Sequence, residues 1–84
     1  MSNIDAQLNL WNAMKPMLQN VPTPTSTTII GNKLCVDWKV DSTRSLHLEI
    51  SNDYFQMSSW RERVSAPPKY MAEVANAISK HFAN

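Results

Sequence analysis

The only glycine of the chain, Gly31, lies inside the segment TTIIGNKLCVDWKV, and this placement constrains the fold more than any other feature. Gly-Asn between two alternating, β-branched segments is typical of a two-residue hairpin with a type II′ turn. That turn pairs Ile29 with Leu34, and residues opposite one another share a face of the sheet. One face then carries Ile29, Leu34, Val36, Trp38 and Val40, and the other carries Lys33, Cys35, Asp37 and Lys39.

The segment SLHLEIS continues the alternation, with Leu46, Leu48 and Ile50 inward and His47 and Glu49 outward. Charge selects its register against the preceding strand. A five-residue loop would oppose Asp37 and Glu49, and like charges at opposed positions are destabilising. A three-residue loop over 41–43 instead opposes Asp37 with His47 and Cys35 with Glu49. We therefore predict the shorter loop.

A fourth strand is predicted over FQMSSWRER, with Phe55 and Met57 inward. In a regular strand, Gln56, Ser58 and Trp60 point outward. A bulge at Ser58–Ser59 would instead turn Trp60 into the core. The sequence leaves both orientations of this tryptophan open.

Two amphipathic helices enclose these strands in the sequence. The first has an apolar stripe formed by Ile4, Leu8, Trp11, Met14 and Leu18. Pro16 removes a backbone donor, so we expect the regular helix to kink there or to end near Met14. The second helix follows Pro67–Pro68, with Ser65 as its expected cap. Its stripe is formed by Met71, Val74, Ala75, Ile78 and Phe82.

The predicted fold is one α+β domain over residues 1–84 with the order α-β-β-β-β-α. Its antiparallel four-stranded meander has both helices on one face and leaves the other face open. We expect the core to contain Leu8, Trp11, Leu34, Val36, Trp38, Leu46, Leu48, Ile50, Phe55, Val74, Ile78 and Phe82. The apolar fraction of 43% and the charged fraction of 18% are those of a folded domain.

Composition also limits the function classes. A single cysteine and the absence of a signal-like or membrane-spanning segment predict a cytoplasmic protein with no membrane partner. One glycine excludes the Gly-rich cradles that bind nucleotide phosphates. The net charge of +1 favours neither a strong polyanion binder nor an acidic mimic of one.

Reactive groups converge at one place, where the predicted register brings together Cys35, Asp37, His47 and Glu49. These are zinc ligand types, and Cys, His and Asp can also form a nucleophile, a base and its orienting group. Polar residues are equally what the solvent face of a sheet requires, and a flat sheet lacks the concavity of an active site. We therefore expect no catalytic residue, no cofactor and no metal ion.

The predicted function is protein binding by a non-catalytic adaptor or inhibitor, through the open sheet face and the strand end at Trp60. Tryptophan and arginine are enriched at interface hot spots. The expected contact residues are Trp60, Arg61, Arg63, Gln56, Ser58, His47 and Lys39. Self-association through an edge strand, as in a homodimer, is one form of this function. The fourth strand looks more available for it than the first, which lies beside Pro22 and Pro24.

The alternative is a nucleic-acid-binding module. Basic residues on the sheet and at its ends could contact phosphates, and an exposed tryptophan suits base stacking. The basic set is Lys33, Lys39, Arg44, Arg61, Arg63 and Lys69. Asp37, Glu49 and Glu62 lie on the same surfaces and weaken this hypothesis.

Overall fold

In chain order, a first helix precedes an antiparallel five-stranded sheet and a second helix follows it. A computed structural model describes residues 4–60 and 63–83 of the protein. Its elements are α1 (Ile4–Met14), a 3-10 turn (Lys15–Leu18), β1 (Ser26–Ile30), β2 (Lys33–Lys39), β3 (Ser45–Ile50), β4 (Phe55–Ser59), β5 (Arg63–Ala66), a second 3-10 turn (Pro68–Tyr70) and α2 (Met71–Ala83). The strands lie side by side in sequence order, from β1 to β5. The α+β class is confirmed.

The predicted strand registers are confirmed at all three hairpins for which they were derived. Ile29 opposes Leu34, Asp37 opposes His47, and Ile50 opposes Phe55. The first turn has φ of 61° at Gly31, whereas Asn32 has no positive φ. A positive φ at the first central residue alone is the type II′ pattern, which explains why the single glycine stands there.

The strand count differs from the prediction of four. The chain turns back after Ser59, and a short fifth strand pairs with β4 so that Ser58 opposes Arg63. Val64 and Ala66 then lie opposite Met57 and Phe55. The alternation of Val64, Ser65 and Ala66 is the local signal of this strand. The segment predicted as one strand therefore contributes to a hairpin.

The buried core cluster combines residues of strands β2 to β5 with residues of both helices. Trp38 is 2% exposed and packs edge-to-face against Trp11, at 5.9 Å between ring centroids, and against Phe82, at 6.0 Å. Its indole Nε1 donates to the Pro22 carbonyl oxygen at 2.9 Å. Ten of the twelve predicted core residues are buried and Phe82 is partly buried. The aromatic contacts thus join both helices to strand β2.

Helix α1 is rotated relative to its predicted apolar stripe. Leu8 is 37% exposed, so its assignment to the core is wrong, while its neighbour Gln7 is fully buried. The Gln7 amide donates to the Asn32 carbonyl oxygen at 2.7 Å and to the Asn52 side-chain oxygen at 2.8 Å. Both partners of the amide nitrogen come from hairpin turns, and these hydrogen bonds offset the cost of burying it, while the buried amide oxygen Oε1 has no partner among the described residues.

The prediction that helix α1 ends near Met14 is confirmed. The regular helix stops at that residue, and Pro16 lies in the following 3-10 turn, which ends with the buried Leu18. One other local prediction is wrong. Ser65 belongs to β5 rather than capping a helix, since Pro67 occupies the N-cap of the next turn. Ile29 lies opposite Leu34 as predicted, but it is 55% exposed because β1 is an outer strand whose residues are all exposed.

Candidate functional site

Two rows of polar side chains cross the sheet on the face opposite the apolar core. One row runs through Ser26, Asp37, His47, Ser58 and Arg63, and the other through Thr28, Cys35, Glu49, Gln56 and Ser65. These ten residues are called the polar face below. Each row takes one residue from each of the five strands, so the five-strand register brings together side chains that are far apart in the sequence.

His47 is held between two carboxylates at the centre of the polar face. Its Nδ1 lies 2.5 Å from Asp37 Oδ1, and its Nε2 lies 3.4 Å from Glu49 Oε1. Partial burial lowers the pKa of His47, but the hydrogen bonds and negative charges of Asp37 and then Glu49 outweigh it, and the net result is a raised pKa. The ring orientation is thereby fixed by Asp37.

Cys35 lies under these groups and is only 2% exposed, although its strand position points away from the core. It occupies a central strand, with Thr28 and Glu49 directly opposite on the two neighbouring strands. Burial raises the pKa of the thiol, and the charges of Glu49 and Asp37 raise it further, against a smaller lowering by Lys33. A thiol in this environment is a poor nucleophile in the absence of a cation.

The far side of the polar face is built around Arg63 and Gln56. With its amide oriented so that oxygen faces the guanidinium, Gln56 accepts hydrogen bonds from Arg63 Nε at 2.6 Å and from Nη2 at 2.8 Å. Arg63 is exposed, while Gln56 and Ser58 are half-buried. Of the residues predicted for binding, His47, Ser58, Gln56 and Arg63 therefore share one continuous surface.

Trp60 follows directly after β4 and is 59% exposed, which excludes its burial in the core through a bulge. The preceding residue Ser59 pairs with Leu46 of β3. Because these strands are antiparallel, Trp60 comes next to Ser45, and Ser45 pairs with Lys39 of β2. Trp60 and Lys39 therefore lie at the same end of the sheet. A shallow depression of about 310 Å³ at this end includes Lys39, Ser45 and Arg44 in its lining. Arg61 and Glu62 lie outside the described residues.

The basic residues of the alternative hypothesis are dispersed. Arg44 is ion-paired with Asp41, with 2.6 Å between Nε and Oδ2. The Lys69 ammonium lies 5.2 Å from the centre of the Tyr70 ring, beyond the end of the sheet strands. Lys33 and Lys39 stand at opposite ends of β2. Over the described residues the structure thus brings no more than part of the basic set to any one end of the sheet.

Comparisons with protein-family models, with curated proteins and with solved structures give no match to this chain. Within residues 4–60 and 63–83, neither helix has the length and apolar character needed to cross a membrane. The functional interpretation therefore rests on the geometry described above.

Proposed function

We propose that this chain is a small, non-catalytic intracellular domain that binds another protein, as an adaptor or inhibitor. Its docking surface is the polar face together with the strand end at Trp60 and Lys39. The observation that carries this proposal is the exposure of Trp60, at 59%, beside the rows of the polar face. Exposed large apolar side chains next to organised polar groups are the composition of interface hot spots and their rims.

The proposal includes both helices covering the apolar face, which leaves the polar face accessible. Buried residues of α1 and α2 belong to the same cluster as the inward residues of β2, β3 and β4. The polar face contributes only Cys35 to the fully buried residues of the sheet. A partner can then cover the polar face without disturbing the packing that stabilises the fold.

A binding role without catalysis is favoured by the state of the reactive groups. His47 is engaged by Asp37 and Glu49, and the Cys35 thiol is buried with a raised pKa. Reactive cysteines lie instead in electropositive, accessible surroundings that lower their pKa. The same groups are well suited to present a fixed hydrogen-bonding pattern to a partner.

Self-association is a second form of the same function, and we assign it to a different strand from the one expected. β4 is paired on both sides, by β3 and β5, so the expectation that it is the available edge is wrong. The outer strands are β1 and β5. On β1, Ile29 is 55% exposed and Ile30 is 62% exposed, which makes this strand the better candidate for edge pairing.

Site-specific photo-crosslinking tests the docking surface. A photoreactive phenylalanine analogue at position 60 is expected to capture a protein in the native cells. The matched control replaces Tyr54, which is 40% exposed and lies at the opposite end of the sheet, before Phe55. A protease-sensitive adduct formed at position 60 but not at position 54 supports the proposal. A nuclease-sensitive adduct would instead favour the nucleic-acid alternative, and the same adducts at both positions would contradict a defined surface.

A further inference from the structure

The polar face contains a set of three donor atoms of the kinds that transition-metal ions bind. The Cys35 thiol, the His47 imidazole and the Glu49 carboxylate each offer one atom, and these atoms all lie within 4.8 Å of one another. Thiolate, imidazole and carboxylate are together the ligand types of zinc sites in proteins. The residues come from β2 and β3, which are paired along six residue positions in the middle of the sheet.

Spacing supports a shared ion. Two ligand atoms about 2.1 Å from a tetrahedral zinc ion are separated by about 3.4 Å. The His47 Nε2 to Glu49 Oε1 distance already is 3.4 Å. The Cys35 sulfur lies within 4.8 Å of the other two donor atoms, so it needs to approach them by no more than about 1.2 Å to share a tetrahedral ion.

The fourth residue of the cluster performs a different task. Asp37 Oδ1 lies 2.5 Å from His47 Nδ1, whereas Glu49 Oε1 lies 3.4 Å from the other ring nitrogen, Nε2. Histidines that ligate metals through one ring nitrogen almost always donate the other N–H to a carboxylate or carbonyl, which fixes the tautomer. This hydrogen bond leaves Nε2 as the ligating atom, on the side where Glu49 lies.

Charge favours a divalent cation at this point. The Asp37 and Glu49 carboxylates both lie against the His47 ring, and Glu49 is directly opposite Cys35 on the neighbouring strand. A divalent ion would stabilise the thiolate form of Cys35 together with both carboxylates. The cluster therefore combines a chemically suitable ligand set with a surplus of negative charge that an ion would neutralise.

We propose that Cys35, His47 and Glu49 bind a zinc ion, with Asp37 as the residue that orients His47. Three protein ligands leave one coordination position for water or a group from outside. The site lies within the proposed docking surface, but metal binding there does not require a protein partner, so failure of the crosslinking experiment leaves it standing. The core lies on the other face of the sheet, and chelator-treated protein is expected to keep its far-ultraviolet circular dichroism.

Cobalt(II) titration tests the proposal, because this ion replaces zinc and reports its ligands in its absorption spectrum. One equivalent should give the near-ultraviolet charge-transfer band of a thiolate ligand and the intense visible bands of tetrahedral cobalt. One equivalent of Zn²⁺ should then remove both. Failure of these bands to appear with the reduced, folded protein would overturn the proposal.

Variants assign the ligands. Cys35→Ser should abolish the charge-transfer band, and His47→Gln and Glu49→Gln should each weaken Co²⁺ binding by more than about tenfold. Asp37→Asn should weaken it by about 10–100-fold, the usual effect of losing an orienting partner. His81→Gln, in α2, is the matched control and should change nothing. If Cys35→Ser fails to fold, Glu49→Gln carries the test. Cobalt binding that survives both His47→Gln and Glu49→Gln, or that is lost in His81→Gln, would contradict the assignment.

Discussion

The two faces of strands β2 and β3 are built by the same alternation of residues, yet they differ in what holds their side chains. On the apolar face, Val36, Trp38 and Leu48 are at most 2% exposed and belong to a core cluster that includes residues of both helices. On the polar face, Asp37, His47 and Glu49 are half-buried and are held by hydrogen bonds and charge. Packing on one face stabilises the fold, and polar contacts on the other fix side chains that a ligand or partner can reach.

Two buried residues depart from this pattern, and both are informative. Gln7 is a polar residue buried against the apolar core, where its amide joins Asn32 and Asn52. Cys35 is a buried residue on the polar face. The first exception ties helix α1 to two hairpin turns, whereas the second places a thiol among charged groups. The alternation therefore sets the two faces, and the local partners decide the burial of individual side chains.

The largest expected effect is on the apolar face. Trp38→Ala should lower the free energy of unfolding by about 3–5 kcal/mol, because it removes a fully buried aromatic and its contacts with Trp11 and Phe82. This is close to the whole stability of a small domain. Chemical denaturation followed by circular dichroism measures the change. A Trp38→Ala variant with near-normal stability would contradict the assignment of Trp38 to the apolar face of the sheet.

The next largest effect on stability is expected at Gln7, the buried polar residue of helix α1. Gln7→Leu should cost about 1–3 kcal/mol, because the Asn52 side chain and the Asn32 carbonyl lose their buried partner. Leu8→Gln is the matched control on the next residue of the helix. It should change the stability by less than about 0.5 kcal/mol, since Leu8 is 37% exposed. A larger loss in Leu8→Gln than in Gln7→Leu would show that the helix has its predicted rather than its observed rotation.

A smaller effect is expected outside both faces, in the loop after β2. Asp41 accepts hydrogen bonds from the Thr43 and Arg44 backbone N–H groups and from the Arg44 side chain. The backbone hydrogen bond from Thr43, followed by the side-chain hydrogen bond from Arg44, holds the pKa of Asp41 well below its usual range. The stability from this group is therefore present above the unfolded-state pKa, about 3.9, and is lost as the pH falls through the lower folded-state value.

Thermal melting as a function of pH measures this loop contribution. Asp41→Ala should melt slightly below the wild type at neutral pH, and the difference should shrink as the pH falls below about 4. Asp41→Asn keeps a side-chain oxygen that can accept the backbone hydrogen bonds, so its melting temperature at neutral pH should lie between those of Asp41→Ala and the wild type. A difference that grows on acidification would contradict the role given to the carboxylate.

The smallest effect on stability is expected at Trp60. Because this side chain is 59% exposed, Trp60→Ala should change the free energy of unfolding by less than about 0.5 kcal/mol. Denaturation of Trp60→Ala beside Trp38→Ala gives the comparison directly. Equal losses of unfolding free energy in the two variants would contradict the assignment of Trp38 to the core and Trp60 to the surface.

The pairing of the strands was predictable from the sequence because it depends on local rules. Gly31 specifies the first turn, and the like charges of Asp37 and Glu49 exclude the wrong register of the second. The β4–β5 turn was missed because Trp60 and the charged residues after it extend an apparent strand. Only the short alternation of Val64 and Ala66 indicated another strand.

Burial was harder to predict than pairing, because it depends on contacts between distant segments. The exposure of Leu8 and the burial of Gln7 follow from the meeting of helix α1 with Asn32 and Asn52, which the helix sequence does not encode. The two-by-two arrangement of Cys35, Asp37, His47 and Glu49 was predicted from register. The distances and burial that make three of them a ligand set required the structure.

The affinity of Trp60→Ala for the protein captured at position 60 tests the proposed docking function most directly. The partner is titrated against wild-type protein and against folded Trp60→Ala and Tyr54→Ala. An exposed tryptophan at the centre of an interface contributes about 2 kcal/mol or more, so the dissociation constant should rise more than about tenfold in Trp60→Ala. It should stay unchanged in Tyr54→Ala. Equal affinity of Trp60→Ala and the wild type would contradict the proposed docking surface.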